Sequence, residues 1–257
     1  MEEKMTQYDH KTSATYSRPE MKNFFHRKYI TYPSWLTACG DVKDTHILDL
    51  GCGSGRSSRL LARQGAKIVG LDNSQVQLYL AKTEEEKNPL GIEYVFGEAS
   101  DLSRFKKFDM VTAAMLLHYA QSEEQLVGMC IEIARVLVER GRLVTLTLCP
   151  KHPVQAYHPL LGYSSEWVGP SFQNGSEIKI TLYDSKGGEV GGFSNWYWDA
   201  KTYEKALVHA GFRNIEWSRC TINTEGKSLL LTSKLYDLNF PEIENKMVLS
   251  VLSATIS

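Results

Sequence analysis

With 257 residues, a formal net charge of −1 and 42% hydrophobic residues, the chain has the size and balance of one large α/β domain, with or without an insertion. It has no basic excess with which to neutralise a run of phosphates, so nucleic acid is not an expected partner. Five cysteines, Cys39, Cys52, Cys130, Cys149 and Cys220, form no C-x-x-C pair and have no matching His cluster, so no metal site and no disulfide framework is expected.

The first thirty residues mix charges throughout, and no stretch approaches a membrane span, so the expectation is a cytoplasmic protein without a membrane partner. Ser17-Arg18-Pro19-Glu20 is a capping box with Pro in the first turn, and Met21, Phe24 and Phe25 follow at helical spacing. This helix is expected to end before Pro33, and a short one to run from Ser34 to Cys39. The first sheet strand begins near His46, and Gly51-Cys52-Gly53-Ser54-Gly55 leads from it into a helix that Gly65 stops. A second strand, Lys67 to Leu71, ends at Asp72. Ser74-Gln75-Val76-Gln77 then opens a helix of about three turns.

Ile92 to Phe96 reads as strand three. Phe108 to Ala114, almost wholly apolar, reads as a strand covered on both faces. Ser122 caps a helix whose Leu126, Cys130, Ile133 and Leu137 form one apolar stripe, and Gly141 turns the chain into strand five, Arg142 to Cys149. From His152 to Trp198 the pattern changes to alternating strands, with a hairpin turn at Ser185 to Gly188, which predicts an antiparallel insertion over the sheet's carboxyl edge. Asp199 to Ala210 resumes a helix with Gly211 as its C-cap, Phe212 to Arg219 and Ser228 to Leu235 are expected as closing strands, and the last twenty residues carry no clear signal. The alternation predicts an α/β fold with a doubly wound, mostly parallel sheet, divided as an N-terminal cap (1–40), a cofactor-binding core (41–150), a substrate lid (151–198) and a closing helix and strands (199–236).

Strand, Gly-rich turn and helix together read as a cofactor-binding loop, because glycines remove the Cβ atoms that would hold a ligand away from the backbone. Two adenosine cofactors compete. A dinucleotide fingerprint needs G-x-G-x-x-G, but its third glycine position holds Arg56, and Gly55 falls one residue early. The G-x-G-x-G form after Leu48-Asp49-Leu50, with Asp72 ending the next strand to accept ribose hydroxyls, resembles motif I of the class I S-adenosylmethionine-dependent methyltransferases. Gly97-Glu98-Ala99-Ser100-Asp101-Leu102 is similar to that family's loop after strand three, with Glu98 where Asp is usual, and Phe108 to Val111 followed by Leu117-His118-Tyr119 is similar to its strand-four segment. The E-x-x-R-x-L segment from Glu132 to Leu137 also matches, although Arg142 stands where a second glycine is usual.

The resemblance implies a Rossmann-like, seven-stranded fold that binds S-adenosyl-L-methionine and releases S-adenosyl-L-homocysteine. It implies cofactor contacts at Tyr16, Asp49, Gly51, Cys52, Gly53, Asp72, Asn73, Gln77, Glu98, Ala99, Ala114 and Met115. A looser likeness to small-molecule methyltransferases of the toxoflavin-synthase type runs through Tyr8, Tyr16, Trp196-Tyr197-Trp198, Tyr203 and Ala210-Gly211-Phe212.

Plainer readings stand beside these. Asp49 is either a site residue or a polar residue near a turn, and Cys52 is better packing than a nucleophile because no basic partner is near in sequence. His118, with Tyr119 beside it, is either a structural histidine or a base for the reaction. Nine aromatic residues between Tyr157 and Trp198 make a packed strand pair, or a surface on which a planar or cationic substrate stacks through Tyr8, Tyr163, Trp167, Tyr183, Trp196 and Trp198. Thr112 to Met115 stands where an N/D-P-P-Y motif would mark exocyclic-amine DNA and protein methyltransferases. The expected activity is methyl transfer to nitrogen or oxygen of a small aromatic or heteroaromatic molecule, by a monomer or homodimer. The alternatives are a methyltransferase of protein or RNA, a non-catalytic cofactor-binding module and an NAD-dependent dehydrogenase.

Overall fold

In the computed structural model, residues 25–151, 154–158, 161–184, 186–233, 240–245 and 247–256 are described. Tyr8, Tyr16 and the capping box at 17–20 lie outside them. The main sheet contains β1 (His46–Leu50), β2 (Lys67–Asp72), β3 (Glu93–Phe96), β4 (Phe108–Ala114), β5 (Leu137–Leu148), β10 (Phe212–Arg219) and β11 (Leu249–Ile256). These seven strands run in the order β10-β11-β5-β4-β1-β2-β3. The pairings β3-β2-β1-β4-β5 are parallel, and β11 is antiparallel to both its neighbours. The strand order reverses beside β1, and such a switch point opens a crevice at the carboxyl ends of the strands.

Alternate residues of the central strands feed two cores, as the two-residue period of a strand requires. Ile47 and Val144 face one core, built with Ile30, Trp35 and Cys39; Leu48, Val111 and Leu143 face the other, built with Leu126, Cys130, Tyr203 and Leu207. The helices are α1 (Tyr32–Cys39), α2 (Arg56–Ala62), α3 (Gln75–Lys87), α4 (Glu123–Arg135), α5 (Ala200–His209), α6 (Thr224–Ser233) and α7 (Phe240–Asn245). The Ser74 and Ser122 hydroxyls and the Asp199 carboxylate cap α3, α4 and α5 by accepting from the backbone N–H groups of Gln77, Gln125 and Thr202. No helix among the described residues is long and apolar enough to cross a membrane.

Four readings of the sequence are corrected. Pro33 does not separate two helices: a π-helical turn, Arg27–Thr31, runs straight into α1, and Pro33 falls in its first turn, where a missing N–H costs little. β5 starts at Leu137, and Gly141 lies in an irregularity where Phe108 pairs with Leu137 and Met110 already with Arg142. The insertion is a four-stranded antiparallel sheet, β6 (Gln155–His158), β7 (Tyr163–Trp167), β8 (Glu177–Tyr183) and β9 (Glu189–Trp196), with two strands more than the expected pair. The expected strand from Ser228 lies in α6, and the strand it was meant to be is β11, drawn from the signal-free last residues.

β11 sits between β10 and β5, so its backbone bonds on both sides and its Val251, Leu252 and Ala254 are buried. Leu252→Ala should therefore cost ~2–5 kcal/mol, as at other buried leucines, and lower the urea midpoint of unfolding. An unchanged midpoint would show that the last residues are a dispensable appendage.

Candidate active site

Gly53 and Gly55, at φ 54° and 82°, hold the loop after β1 in left-handed backbone, and at Gly55 space also decides, because a Cβ would strike the Tyr94 hydroxyl packed behind the loop. The Asp49 carboxylate fixes the loop from beneath. Its Oδ2 accepts from the Ser57 and Ser58 hydroxyls at 2.6 Å each and its Oδ1 from Thr112 at 2.9 Å, so one buried group joins β1, α2 and β4. Burial raises its pKa while the three hydroxyls pull it back. Asp49 thus shapes the loop, with both carboxylate oxygens already engaged.

Asp72, at the end of β2, accepts from Gly53 N–H at 2.8 Å through Oδ2 and from Ser74 N–H at 2.8 Å through Oδ1. The loop amide that a dinucleotide's pyrophosphate would need is therefore used by a carboxylate. Burial raises the pKa of Asp72, and the charges of Asp49 and Glu98 raise it further. An acidic rim of this kind suits a ligand that brings hydroxyl donors and positive charge. Asn73 reaches Glu98 across the rim, Nδ2 to Oε2 at 3.2 Å. Gln77 is buried against the loop, its Oε1 3.6 Å from where a Gly53 Cβ would lie, and its Nε2 has no hydrogen-bond partner. Cys52 is buried with its thiol pKa raised by desolvation, which suits packing and not nucleophilic attack.

After β4 the chain passes Ala114 and turns at Met115, which holds φ 67° without being glycine. Such strain at a strand's carboxyl end marks functional loops. Leu116, next in the chain, fills the space beside Gly51. Met115 itself lines a cavity of about 570 Å³, its open mouth included. His26, Arg27, Thr31 and Tyr32 from the N-terminal helix form one wall, Leu146 and Leu148 of β5 with Val248 and Leu249 form another, and Tyr163, Ile180, Leu182, Phe193 and Asn195 of the smaller sheet form a third.

The structure thus brings the glycine loop, Asp72, Asn73, Gln77, Glu98, Ala99, Ala114 and Met115 to the carboxyl edge of the sheet, but it redistributes the other expected residues. His118 is fully buried, with Nδ1 3.3 Å from the Thr147 hydroxyl, which in turn meets the Tyr203 hydroxyl at 2.7 Å. Burial pushes its pKa down to about 3, which favours the structural reading of this histidine, as a neutral imidazole, over its reading as a base. Tyr119 stacks between the rings of His118 and Phe193, at 5.1 and 6.2 Å.

Of the expected substrate residues that are described, only Tyr163 lines the cavity. Strand phase explains two of the others: Leu182 and Asn195 face inward, so their neighbours Tyr183 and Trp196 face away. Trp198 is buried and donates its Nε1–H to the Ala120 carbonyl, and Trp167 is exposed beside Phe172. Of the cavity-lining residues only Met115 and Tyr163 were expected site residues, and the polar ones missed from sequence are His26, Arg27, Thr31, Tyr32 and Asn195. The available signal for Asn195 was a polar residue two positions from Phe193 on one strand face.

A methyltransferase-domain family model matches residues 47–141. The Ubiquinone biosynthesis O-methyltransferase of Coxiella burnetii is 31% identical over 108 residues, 42% of this chain and 45% of that protein. The Cypemycin N-terminal methyltransferase of a Streptomyces species is 33% identical over 109 residues, 42% of this chain and 44% of that protein. The chain thus spans less than half the length of the curated relatives it matches. An S-adenosylmethionine-dependent methyltransferase from Clostridium acetobutylicum superposes with a TM-score of 0.64 at 16% identity, covering 92% of this chain and 96% of that one. The fold is that of the class I methyltransferases, and a four-stranded antiparallel sheet is also present.

S-adenosylmethionine is the cofactor of such a domain, and the residues present fit it: an acidic rim, backbone left open by glycines, and a buried amide without a partner under the loop. Because His118 binds its proton with a pKa of about 3 when folded and 6.5 as a free side chain, the unfolded chain takes up the extra proton between those values, and stability falls as pH falls through them. From pH ~7 to ~5 the loss at this site is about 2 kcal/mol, and His118→Gln should remove it. Urea midpoints that fall in parallel for both proteins would contradict the burial of a neutral imidazole.

Proposed function

We propose that the protein is an S-adenosylmethionine-dependent methyltransferase whose acceptor is a small aromatic or heteroaromatic molecule, methylated on nitrogen or oxygen. The observation that carries this reading is the position of the cavity. It opens on Met115, one residue from the Leu116 that packs against the glycine loop, so donor and acceptor spaces share a wall.

The bound cofactor would supply an electrophilic methyl group on its sulfonium. In this reading Asp72 holds the ribose hydroxyls, Glu98 and Ala99 meet the adenine, Asn73 orders Glu98, Gln77 supports the loop at Gly53, and Ala114 and Met115 border the methionine part. Asp49, through Ser57, Ser58 and Thr112, keeps Gly51 to Gly55 in the binding conformation. The resemblance assigns the carboxylate end to Tyr16, which lies outside the described residues. The remaining task is to orient an acceptor and exclude water, which in the best intramolecular cases lowers barriers by ~7–11 kcal/mol. An acceptor that loses its proton to water beforehand needs no protein base, which agrees with the neutral His118.

A small acceptor is favoured over protein or RNA because the cavity is mostly apolar and walled on three sides. The relatives, matched over 108 and 109 residues, are named for acceptors as different as one in ubiquinone biosynthesis and the N-terminus of cypemycin. Apart from Met115, every residue lining the cavity lies outside residues 47–141. In this reading donor binding belongs to the glycine-loop edge of the sheet and acceptor choice to the segments that line the cavity.

S-adenosylhomocysteine at 100 times its Kd should stabilise the protein by ~2.7 kcal/mol and NAD should not. Asp72→Ala should lose ~1.5–3 kcal/mol of that binding, the usual worth of hydrogen bonds to a charged group. A thermal shift with NAD and none with S-adenosylhomocysteine, or preferential labelling of tRNA or histones over a metabolite extract, would overturn the reading.

A further inference from the structure

The inner face of the smaller sheet carries Gln155, Tyr163, Ser165 and Asn195 among the apolar Ile178, Ile180, Leu182 and Phe193. Ser165 is satisfied: its hydroxyl accepts from Gln155 N–H at 2.8 Å. The other described asparagine of the insertion, Asn174, uses both ends of its amide, accepting from Asp199 N–H and donating to the Thr202 hydroxyl. Asn195 differs. It is 1% exposed, it lines the cavity, and its Oδ1 has no hydrogen-bond partner.

An amide oxygen buried without a partner costs ~1–3 kcal/mol, and leucine, of similar size, would remove that cost. A buried polar group kept in that state calls for a partner that arrives from outside the fold. Asn195 lines the cavity, so a molecule bound there can bring that partner, and its backbone is paired with β8 at Ile178. The described lining also contains Arg27 and no Asp or Glu, which argues against a cationic acceptor and for a neutral or anionic one.

We infer that Asn195 determines specificity for the acceptor: its side-chain amide accepts a hydrogen bond from a donor carried on an otherwise apolar ring, and the cavity discriminates against the same ring without that donor. This inference rests on the proposed methyltransferase reading for the identity of the ligand as an acceptor. A site built to hydrogen-bond a substrate group rejects the analogue lacking it, because binding the analogue leaves the buried partner unpaired.

The test uses three rings of one shape, 1-naphthol, naphthalene and 1-methoxynaphthalene, titrated into the full chain saturated with S-adenosylhomocysteine. The wild type should bind 1-naphthol about tenfold or more tightly than the two rings without a donor, the discrimination that one buried hydrogen bond provides. Asn195→Leu should bind all three with similar affinity, keep its affinity for S-adenosylhomocysteine and melt no lower than the wild type. Equal binding of the three rings by the wild type, no binding of 1-naphthol to protein that does bind S-adenosylhomocysteine, or unchanged preference in a folded Asn195→Leu would overturn the assignment of Asn195 alone. Failure of the wild type to bind S-adenosylhomocysteine would overturn the methyltransferase reading, and this inference with it.

Discussion

A carboxylate buried at the carboxyl end of β1 governs the architecture of the donor site. Asp49 is fully buried, and a charge so placed is tolerated only when donors surround it. Its donors come from α2 and β4, so satisfying the charge also fixes where the following helix starts and how the glycine loop between them turns. The loop then places Gly53 N–H on Asp72, and Asp72 in turn accepts from Ser74 at the start of α3. Two carboxylates thereby join three strands and two helices at one edge of the sheet. The edge is shaped by their need for hydrogen bonds.

The acceptor side is built by different means. The cavity is made by the N-terminal helix, the end of β5 with Val248 and Leu249, and the smaller sheet. Apolar packing holds these segments together, and Met115 is the residue through which they meet the donor site. Under the proposed function, this division separates the segment matched by the family model from the segments that line the cavity, Asn195 among them.

The donor half was legible in the sequence because its signals are local. Glycine spacing, an acid at a strand end and capping residues at Ser74 and Ser122 each operate within a few residues, and each is found in its expected place. The acceptor half depends on long-range facts. Whether Trp196 or Asn195 faces inward follows from the register of β9 on β8, which a one-residue slip would invert. β11 was hidden because it is buried on both faces and broken by serines, so it shows no alternation, whereas the short apolar run from Ser228, which fits either type, is helical. His118 misled for a related reason: its place after β4 was right, but its burial against Thr147 and Tyr203 depends on β5 and α5.

The most direct measurement is a crystal structure of the protein with S-adenosylhomocysteine and its placement of the thioether sulfur. On this account the ribose lies on Asp72, the adenine beside Glu98, and the sulfur next to Met115 with its free side open to the cavity between Tyr163 and Asn195. Adenosine bound away from the Asp72 rim, or a sulfur walled off from that cavity, would contradict it.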